Sequence, residues 1–206
     1  MVDVLLFNAP VNNPRFTDHA GMSPPLGLAY IGASLREAGY SVSAIDFNIS
    51  GLNPRRVENA VEKEDPAIVG VSTQTEAYPN ALELGEIVKD HSPDVVTIYG
   101  GAHPSVMDEA VANEDPVDFV VRGEGEQTIV ELTDAITNGG DFRSVQGITY
   151  YDEKKNTTQS TPRRDYISDP DTLPFPAREL FPLHLYDRPA NVLLSRGGCP
   201  FNCRFC

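Results

Sequence analysis

Short apolar runs alternate with helical patterns over the first 140 residues, and this alternation restricts the possible folds more than any other feature of the chain. The run AIVGVS (67–72) is apolar at nearly every position, which is typical of a strand buried on both faces of a sheet. Pro24 and Pro25 open the helical pattern that follows the first run, and Gly39 ends it. Strands are predicted for residues 2–7, 41–46, 67–72, 94–101 and 118–126.

Strands that alternate with helices in this way form a parallel sheet with helices on both faces. The five units predict an α/β fold for residues 1–140: a flavodoxin-like (Rossmann-like), doubly wound parallel five-stranded sheet with the strand order 2-1-3-4-5. Two helix starts are also predicted. Asn53-Pro54 opens one helix, and Ser105 with Asp108 resembles a capping box at the start of another.

The pattern changes after Gly140, where a second segment, 141–190, begins. Within it, residues 147–161 predict a β-hairpin, and residues 169–182 carry four prolines, which indicates a semi-rigid linker. Residues 191–206 are a predicted strand followed by a cysteine loop, an order that suits the start of a β/α barrel, in which functional groups follow the strand ends. We expect the rest of the barrel, with most of the substrate pocket, beyond this chain. No catalytic residue is therefore assigned within it, and we expect it to be inactive alone.

All three cysteines lie in the last eight residues: Cys199, Cys203 and Cys206. The preceding 198 residues contain none, so the pattern does not indicate a disulfide framework. Thiolates in this C-x-x-x-C-x-x-C spacing suit a four-iron iron–sulfur cluster that keeps one iron open. The alternatives are a structural zinc site, which would need a fourth ligand such as His184 or one from outside, and incidental cysteines.

The chain is strongly acidic, with 30 Asp and Glu against 16 Lys and Arg and a formal net charge of −14. Phosphate backbones would be repelled, so no nucleic-acid partner is expected. Because lysine is scarce and salt screens self-repulsion, the composition predicts either a halophilic protein of a salt-rich cytoplasm or an ordinary acidic protein. No run reaches the ~18 apolar residues of a membrane helix, and Asp3 stands where a secretory signal would be basic. A cytoplasmic protein without a membrane partner is the resulting prediction.

The stretch NVLLSRGGCPFNCRFC (191–206) resembles the cluster loop of radical S-adenosylmethionine enzymes. Other stretches are similar to the cobalamin-binding subgroup of that family, which includes anaerobic magnesium-protoporphyrin IX monomethyl ester oxidative cyclases: PPLGLAYIGASLREAGYSV, VGVSTQTEAYPNALEL, YGGAHPS, DFVVRGEGEQTIVEL and LPFPAREL. The resemblance covers the whole chain. It implies an N-terminal sheet domain that holds cobalamin, in a methyltransferase or oxidative cyclase that acts on an unactivated carbon of a small molecule.

The same resemblance implies three cofactors: cobalamin, a 4Fe-4S cluster and S-adenosylmethionine. Cys199, Cys203 and Cys206 would be the metal ligands of the cluster, and Phe205 would pack near the adenine of S-adenosylmethionine. Open α/β sheets bind ligands beyond the carboxyl ends of their strands, at the switch point between the first and third strands. The loops that meet there predict a cofactor site made by Ser72, Thr73, Gln74, Gly100, Gly101, His103, Gly123, Glu124 and Gly125.

Two pairs of residues in this set match the family, and one residue departs from it. Ser72 with Thr73 matches the family's hydroxyl position, and Gly100-Gly101 matches its glycine pair, whereas Gln74 replaces a usual leucine. Plain strand-to-helix turns are the alternative explanation of the glycines, and a helix cap is the alternative for Ser72.

Many cobalamin proteins carry D-x-H-x-x-G after the first strand, where the histidine ligates cobalt and the aspartate orients it. Here the loop is TDHAGM, in which Asp18 and His19 are adjacent and Gly21 comes too early. We therefore expect base-off cobalamin without a ligand from His19, with the lower cobalt face left to water or to nothing. His103 is expected to shape its loop rather than to bind metal.

Glu124 and Glu126 are expected to cap the following helix, because carboxylates are favoured at a helix N-terminus. A hydrogen bond to a ribose or a corrin amide, and a general acid–base pair, are the alternatives. Other protein classes fit less well. A plain nucleotide-binding domain would carry G-x-G-x-x-G or a P-loop, and a phosphoacceptor receiver would have aspartate where Ser72 stands. A degenerate sheet domain that only positions the barrel or pairs subunits stays open.

Overall fold

The computed structural model describes residues 2–11 and 22–188. Its strands are β1 (Val4–Asn8), β2 (Val42–Asp46), β3 (Ile68–Ser72), β4 (Val96–Gly100), β5 (Phe119–Val121), β6 (Ile148–Asp152) and β7 (Thr157–Ser160). Its α-helices are α1 (Leu26–Glu37), α2 (Phe47–Ser50), α3 (Pro54–Glu64), α4 (Tyr78–His91), α5 (Ala102–Val106), α6 (Asp108–Val111) and α7 (Glu126–Thr137). No helix within these ranges is long and apolar enough to cross a membrane.

The strands form one sheet with the order β2-β1-β3-β4-β5-β6-β7. β1 to β5 run parallel, so the predicted α/β class and the order 2-1-3-4-5 are confirmed. The predicted count of five strands is too low, because the β6–β7 hairpin pairs antiparallel with β5 through Val121 and Ile148. The hairpin thereby covers the edge of β5, which would otherwise leave backbone groups unpaired.

Helices cover both faces of the sheet. Along β1, Leu5 and Phe7 point into a core shared with α3 and α4, whereas Val4 and Leu6 point into a core shared with α1 and α7. Tyr99 of β4 belongs to the first core and donates a hydrogen bond of 2.9 Å to a carbonyl of α4. The doubly wound arrangement follows from this division, and α1 and α7 enclose the face that carries the site described below.

The two predicted helix starts have different outcomes. The prediction for α3 is confirmed, since the Asn53 side chain accepts from the Arg55 amide at 3.0 Å. The capping box is wrong, because Ser105 lies inside α5. Its Oγ donates to the carbonyl of Gly101 at 2.7 Å and accepts from the amide of Gly123 at 2.9 Å. Ser105 therefore ties the loop after β4 to the turn after β5, which are distant in the chain.

Residues 165–188, here called the strap, contain the predicted proline-rich linker and pack on the domain. The Ala177 amide donates to the Ala29 carbonyl of α1 at 2.9 Å, and Phe181 is buried. At its end the Tyr186 hydroxyl donates to Asp46 Oδ2 at 2.8 Å, inside the protein. The strap thus crosses α1 and ends beside the carboxyl end of β2. The predicted strand within residues 191–206 lies outside the described residues.

Candidate functional site

The carboxyl ends of three neighbouring strands meet at one edge of the sheet. Asn8 of β1, Ser72 of β3 and Gly100 of β4 are aligned in register there. The chain leaves β1 toward α1 on one face of the sheet and leaves β3 toward α4 on the other. Because neighbouring connections diverge at this point, a crevice opens between them, as expected at a switch point.

A pocket of about 200 Å³ opens at this crevice, between the sheet, α1 and α7. Its floor is formed by Leu6, Gly70 and Ile98, which stand in one register row two residues before the strand ends. Its sides come mainly from Leu28 and Ile31 of α1, with Ile129 of α7. The mouth is formed by Ser72, Gly100, Gly101, Gly123, Glu124, Gly125 and Glu126.

Gly70 gives the pocket its depth. A Cβ atom at this position would lie 2.8 Å from Cδ2 of Leu6, its neighbour across the β1–β3 pair. A glycine inside a strand weakens the strand, and it often marks a place where a ligand approaches the backbone. Sequence reasoning did not assign Gly70 to the site. The available signal was the lone glycine in the middle of the apolar run AIVGVS.

Gly101 is required by the packing of the backbone. Its φ is +104°, and a Cβ there would lie 2.6 Å from the carbonyl oxygen of Thr73 and 3.1 Å from the Thr73 nitrogen. Neither contact can relax by rotating a side chain, because both partners are backbone atoms. At Gly100, by contrast, a Cβ would meet nothing closer than the Val121 carbonyl at 3.8 Å. Of this glycine pair, only Gly101 stands at a position where the surrounding backbone leaves no room for a Cβ atom.

The structure brings together six of the predicted cofactor-site residues around one pocket: Ser72, Gly100, Gly101, Gly123, Glu124 and Gly125. Thr73, Gln74 and His103 do not line it. Thr73 is buried, its amide donates to the Gly100 carbonyl at 3.0 Å, and its hydroxyl donates to the Gln74 carbonyl at 2.9 Å. Thr73 therefore joins the ends of β3 and β4, and Gln74 is exposed to solvent.

His103 belongs to a small cluster beside the mouth. Its Nδ1 lies 3.2 Å from the Thr75 hydroxyl, and its ring packs against Tyr78 with 4.2 Å between the centroids. Burial, with the nearby charge of Glu114, raises the pKa of Tyr78 from 10.0 to about 12, because both disfavour the phenolate. These contacts fit the predicted role of His103 in shaping its loop.

The two carboxylates of the RGEGE turn have separate environments. Glu124 Oε2 accepts a hydrogen bond of 2.7 Å from the Ile167 amide and so anchors the start of the strap. Glu126 is only 2% exposed and lies in the first turn of α7, where the helix dipole favours a carboxylate. Glu126 therefore stands where the prediction expects a carboxylate, at the N-terminus of α7, although the N-cap residue itself is Gly125 and Glu124 precedes it.

Metal ligation is not assigned to the described part of the chain. Within residues 2–11 and 22–188, no group of three or more His, Cys, Asp or Glu residues could hold a metal ion. The predicted cluster ligands Cys199, Cys203 and Cys206, their neighbour Phe205, and His19 lie outside the described residues. Their roles stay predictions.

A doubly wound sheet with an apolar, glycine-rimmed pocket at its switch point defines a cofactor-binding or nucleotide-binding domain. Comparison with known proteins makes this assignment specific. Residues 16–133, more than half of the chain, match the B12 binding domain family, and the chain belongs to that family.

Two curated relatives match most of the chain. The chain is 36% identical over 187 residues to an uncharacterized methyltransferase from Pyrococcus horikoshii, covering 89% of this chain and 40% of that protein. It is 32% identical over 191 residues to the anaerobic magnesium-protoporphyrin IX monomethyl ester cyclase from a Synechocystis strain, covering 89% and 38%. The chain thus spans about two fifths of the length of these curated relatives.

A solved structure shares the fold. The cobalamin-dependent S-adenosylmethionine radical enzyme OxsB, with aqua-cobalamin and S-adenosylmethionine bound, superposes with a TM-score of 0.72 at 20% identity, covering 87% of this chain and 25% of that one. Together with the family match, the sequence relatives and this fold confirm the resemblance to the cobalamin-binding subgroup of radical S-adenosylmethionine enzymes.

Proposed function

We propose that this chain is the cobalamin-binding N-terminal region of a radical S-adenosylmethionine methyltransferase that acts on an unactivated carbon of a small molecule. Membership of the B12 binding domain family and 36% identity to a methyltransferase support the proposal. An oxidative cyclase is the second candidate, which 32% identity to a cyclase favours. Cobalamin, when bound, supplies the chemistry of a methyl carrier.

The pocket is the observation that carries this proposal. The nucleotide tail of cobalamin ends in a flat aromatic base, and the floor formed by Leu6, Gly70 and Ile98 is apolar and lacks one side chain. Adding a Cβ at Gly70 would bring it within 2.8 Å of Leu6, so this space exists only because residue 70 is glycine. The residues present therefore fit the tail of the cofactor, with the base at the floor and the ribose and phosphate at the mouth.

Individual residues have separate tasks in this arrangement. The Ser72 hydroxyl at the mouth would hydrogen-bond the polar part of the tail, and Gly100 would let that part approach the backbone closely. Ser105 holds the two glycine loops of the mouth together through its bonds to Gly101 and Gly123. The apolar residues of α1 and α7 exclude water from the floor.

Binding of cobalamin to this chain tests the proposal against the degenerate-domain alternative. Isothermal titration and absorbance should give one cobalamin per chain, whereas a domain that only positions the barrel would bind none. The absorbance spectrum should be that of base-off cobalamin, and His19→Ala should leave it unchanged. A spectrum of nitrogen-ligated cobalt that changes with His19→Ala would contradict the predicted absence of a histidine ligand.

The cluster is tested in the full-length protein. We propose that Cys199, Cys203 and Cys206 hold a 4Fe-4S cluster that binds S-adenosylmethionine, with Phe205 beside the adenine. Anaerobic reconstitution should give four irons per chain, and Cys203→Ala should lower that number. With S-adenosylmethionine deuterated in its methyl group, a methyltransferase product gains the labelled methyl. A cyclase product loses hydrogen and gains no label.

A further inference from the structure

The pocket changes from polar at its mouth to apolar at its floor. Ser72 and Gly100 at the mouth each stand two residues beyond a floor residue on the same strand, Gly70 and Ile98 respectively. On α7 the same order holds, since Glu126 lies in the first turn and Ile129 comes one turn deeper. A ligand that enters at the mouth therefore passes polar groups first and then reaches the aliphatic side chains of Leu6, Ile98 and Ile129.

The floor has no hydrogen-bonding group to offer. Leu6 and Ile98 have aliphatic side chains, are 1% and 2% exposed, and flank Gly70 in the parallel ladders β1–β3 and β3–β4. The backbone groups of these central strands already pair with neighbouring strands. Leu28 and Ile31 close the sides of the pocket with further aliphatic groups. Any polar atom placed at the floor would therefore lose its hydrogen bonds to water without replacement.

We propose that this floor selects the base of the corrinoid tail, accepting benzimidazole bases and rejecting adenine bases. The inference rests on the proposed function, because it assumes that the tail enters this pocket. The base 5,6-dimethylbenzimidazole carries two methyl groups on the edge away from the sugar. Adenine carries an amine and further ring nitrogens, which would be buried unpaired at Leu6 and Ile98. Burying an unpaired amine costs enough to weaken binding about tenfold or more.

Isothermal titration of the chain with three corrinoids tests this selection. The ligands are cobalamin, the cobamide that carries adenine in place of the benzimidazole, and cobinamide, which has no nucleotide tail. Cobalamin should bind about tenfold or more tightly than the adenine form, and more tightly than cobinamide. Equal affinity for the two complete cobamides, or tighter binding of the adenine form, would overturn the inference while the proposed function stands. If cobinamide binds as tightly as cobalamin, the tail contributes nothing to binding, and the inference is overturned as well. If no corrinoid binds, the proposed function itself fails.

A matched pair of variants locates the selection at the floor. Ile98→Thr places a hydroxyl at the floor, where it can pair with a polar base, and should lower the ratio of affinities severalfold. Val96→Thr makes the same type of change on the same strand and face, but Val96 does not line the pocket, so the ratio should stay unchanged. Thermal melts establish that both variants fold. If the ratio of the affinities for cobalamin and the adenine cobamide changes equally in the two variants, or in neither, selection by the floor is contradicted. If Ile98→Thr does not fold, the comparison of the three corrinoids with the wild-type chain decides.

Discussion

Replacing Gly70 by valine should separate binding from stability. The position lies in the middle of β3, between Leu6 and Ile98, and its missing side chain is what leaves the floor of the pocket open. Most substitutions that block a buried site also damage the fold. Gly70→Val is different, because a β-branched residue is favoured in a strand and glycine is not.

The expected magnitudes follow from the neighbouring atoms. The new Cβ would lie 2.8 Å from Leu6 Cδ2, the end of a flexible side chain that borders the pocket and can turn into it. Moving that methyl group off its rotamer costs about 0.5–1.5 kcal/mol, and the gain in strand preference is at most ~1 kcal/mol. The free energy of unfolding should therefore change by no more than about 1.5 kcal/mol. A tail forced against the filled floor should lose about 1–3 kcal/mol, which is roughly 5- to 150-fold in affinity.

Ala44→Val is the matched control. Ala44 is the register partner of Leu6 on the other side, in β2, and it packs on the same face of the sheet without lining the pocket. Chemical denaturation gives the stability of both variants, and titration with cobalamin gives their affinities. Only Gly70→Val should weaken binding. Unchanged affinity in a folded Gly70→Val protein, or an equal loss in Ala44→Val, would refute the placement of the tail.

Four further outcomes are expected. Gly101→Ala should lower the free energy of unfolding by about 1–3 kcal/mol without any cobalamin present, because its φ is +104° and its Cβ would meet the backbone of Thr73; a variant as stable as wild type would contradict this. Tyr186→Phe removes a buried hydrogen bond to Asp46 and should cost about 1–3 kcal/mol, measured by urea denaturation with Tyr166→Phe, an exposed tyrosine of the strap, as the control. The pKa of Tyr78 is raised from 10.0 to about 12 in the folded state, so the unfolded state loses the phenol proton at lower pH, and the free energy of unfolding should fall as pH rises from 10 to 12. Tyr78→Phe should make this fall smaller. An identical pH profile in Tyr78→Phe would show that Tyr78 is not its cause. The melting temperature should rise between 0.1 M and 1 M potassium chloride, as the Debye length falls from ~10 Å to ~3 Å; a flat response would contradict the halophilic prediction.

Local patterns in the chain were sufficient to predict the architecture and the edge of the sheet where the site lies. The apolar runs and the helical segments between them predict a parallel sheet, because strand burial and helix periodicity are properties of consecutive residues. The cap at Asn53 and the hairpin in 147–161 are local in the same sense, and both are present. Open α/β sheets bind ligands beyond the carboxyl ends of their strands, so the strand order alone predicts that Ser72 and Gly100 border a ligand site. Both residues line the pocket.

Contacts between distant residues decided the rest. The importance of Gly70 depends on Leu6, which is 64 positions away in the chain, and that of Gly101 depends on the backbone of Thr73. The β6–β7 hairpin extends the sheet, Ser105 bonds to a turn after another strand, and the proline-rich strap packs against α1. Residue type and spacing do not encode these contacts, because each depends on a pair of surfaces that come together only when the chain folds. Sequence patterns therefore locate the pocket, whereas its depth and polarity follow from residues on six separate strands and helices that converge in three dimensions.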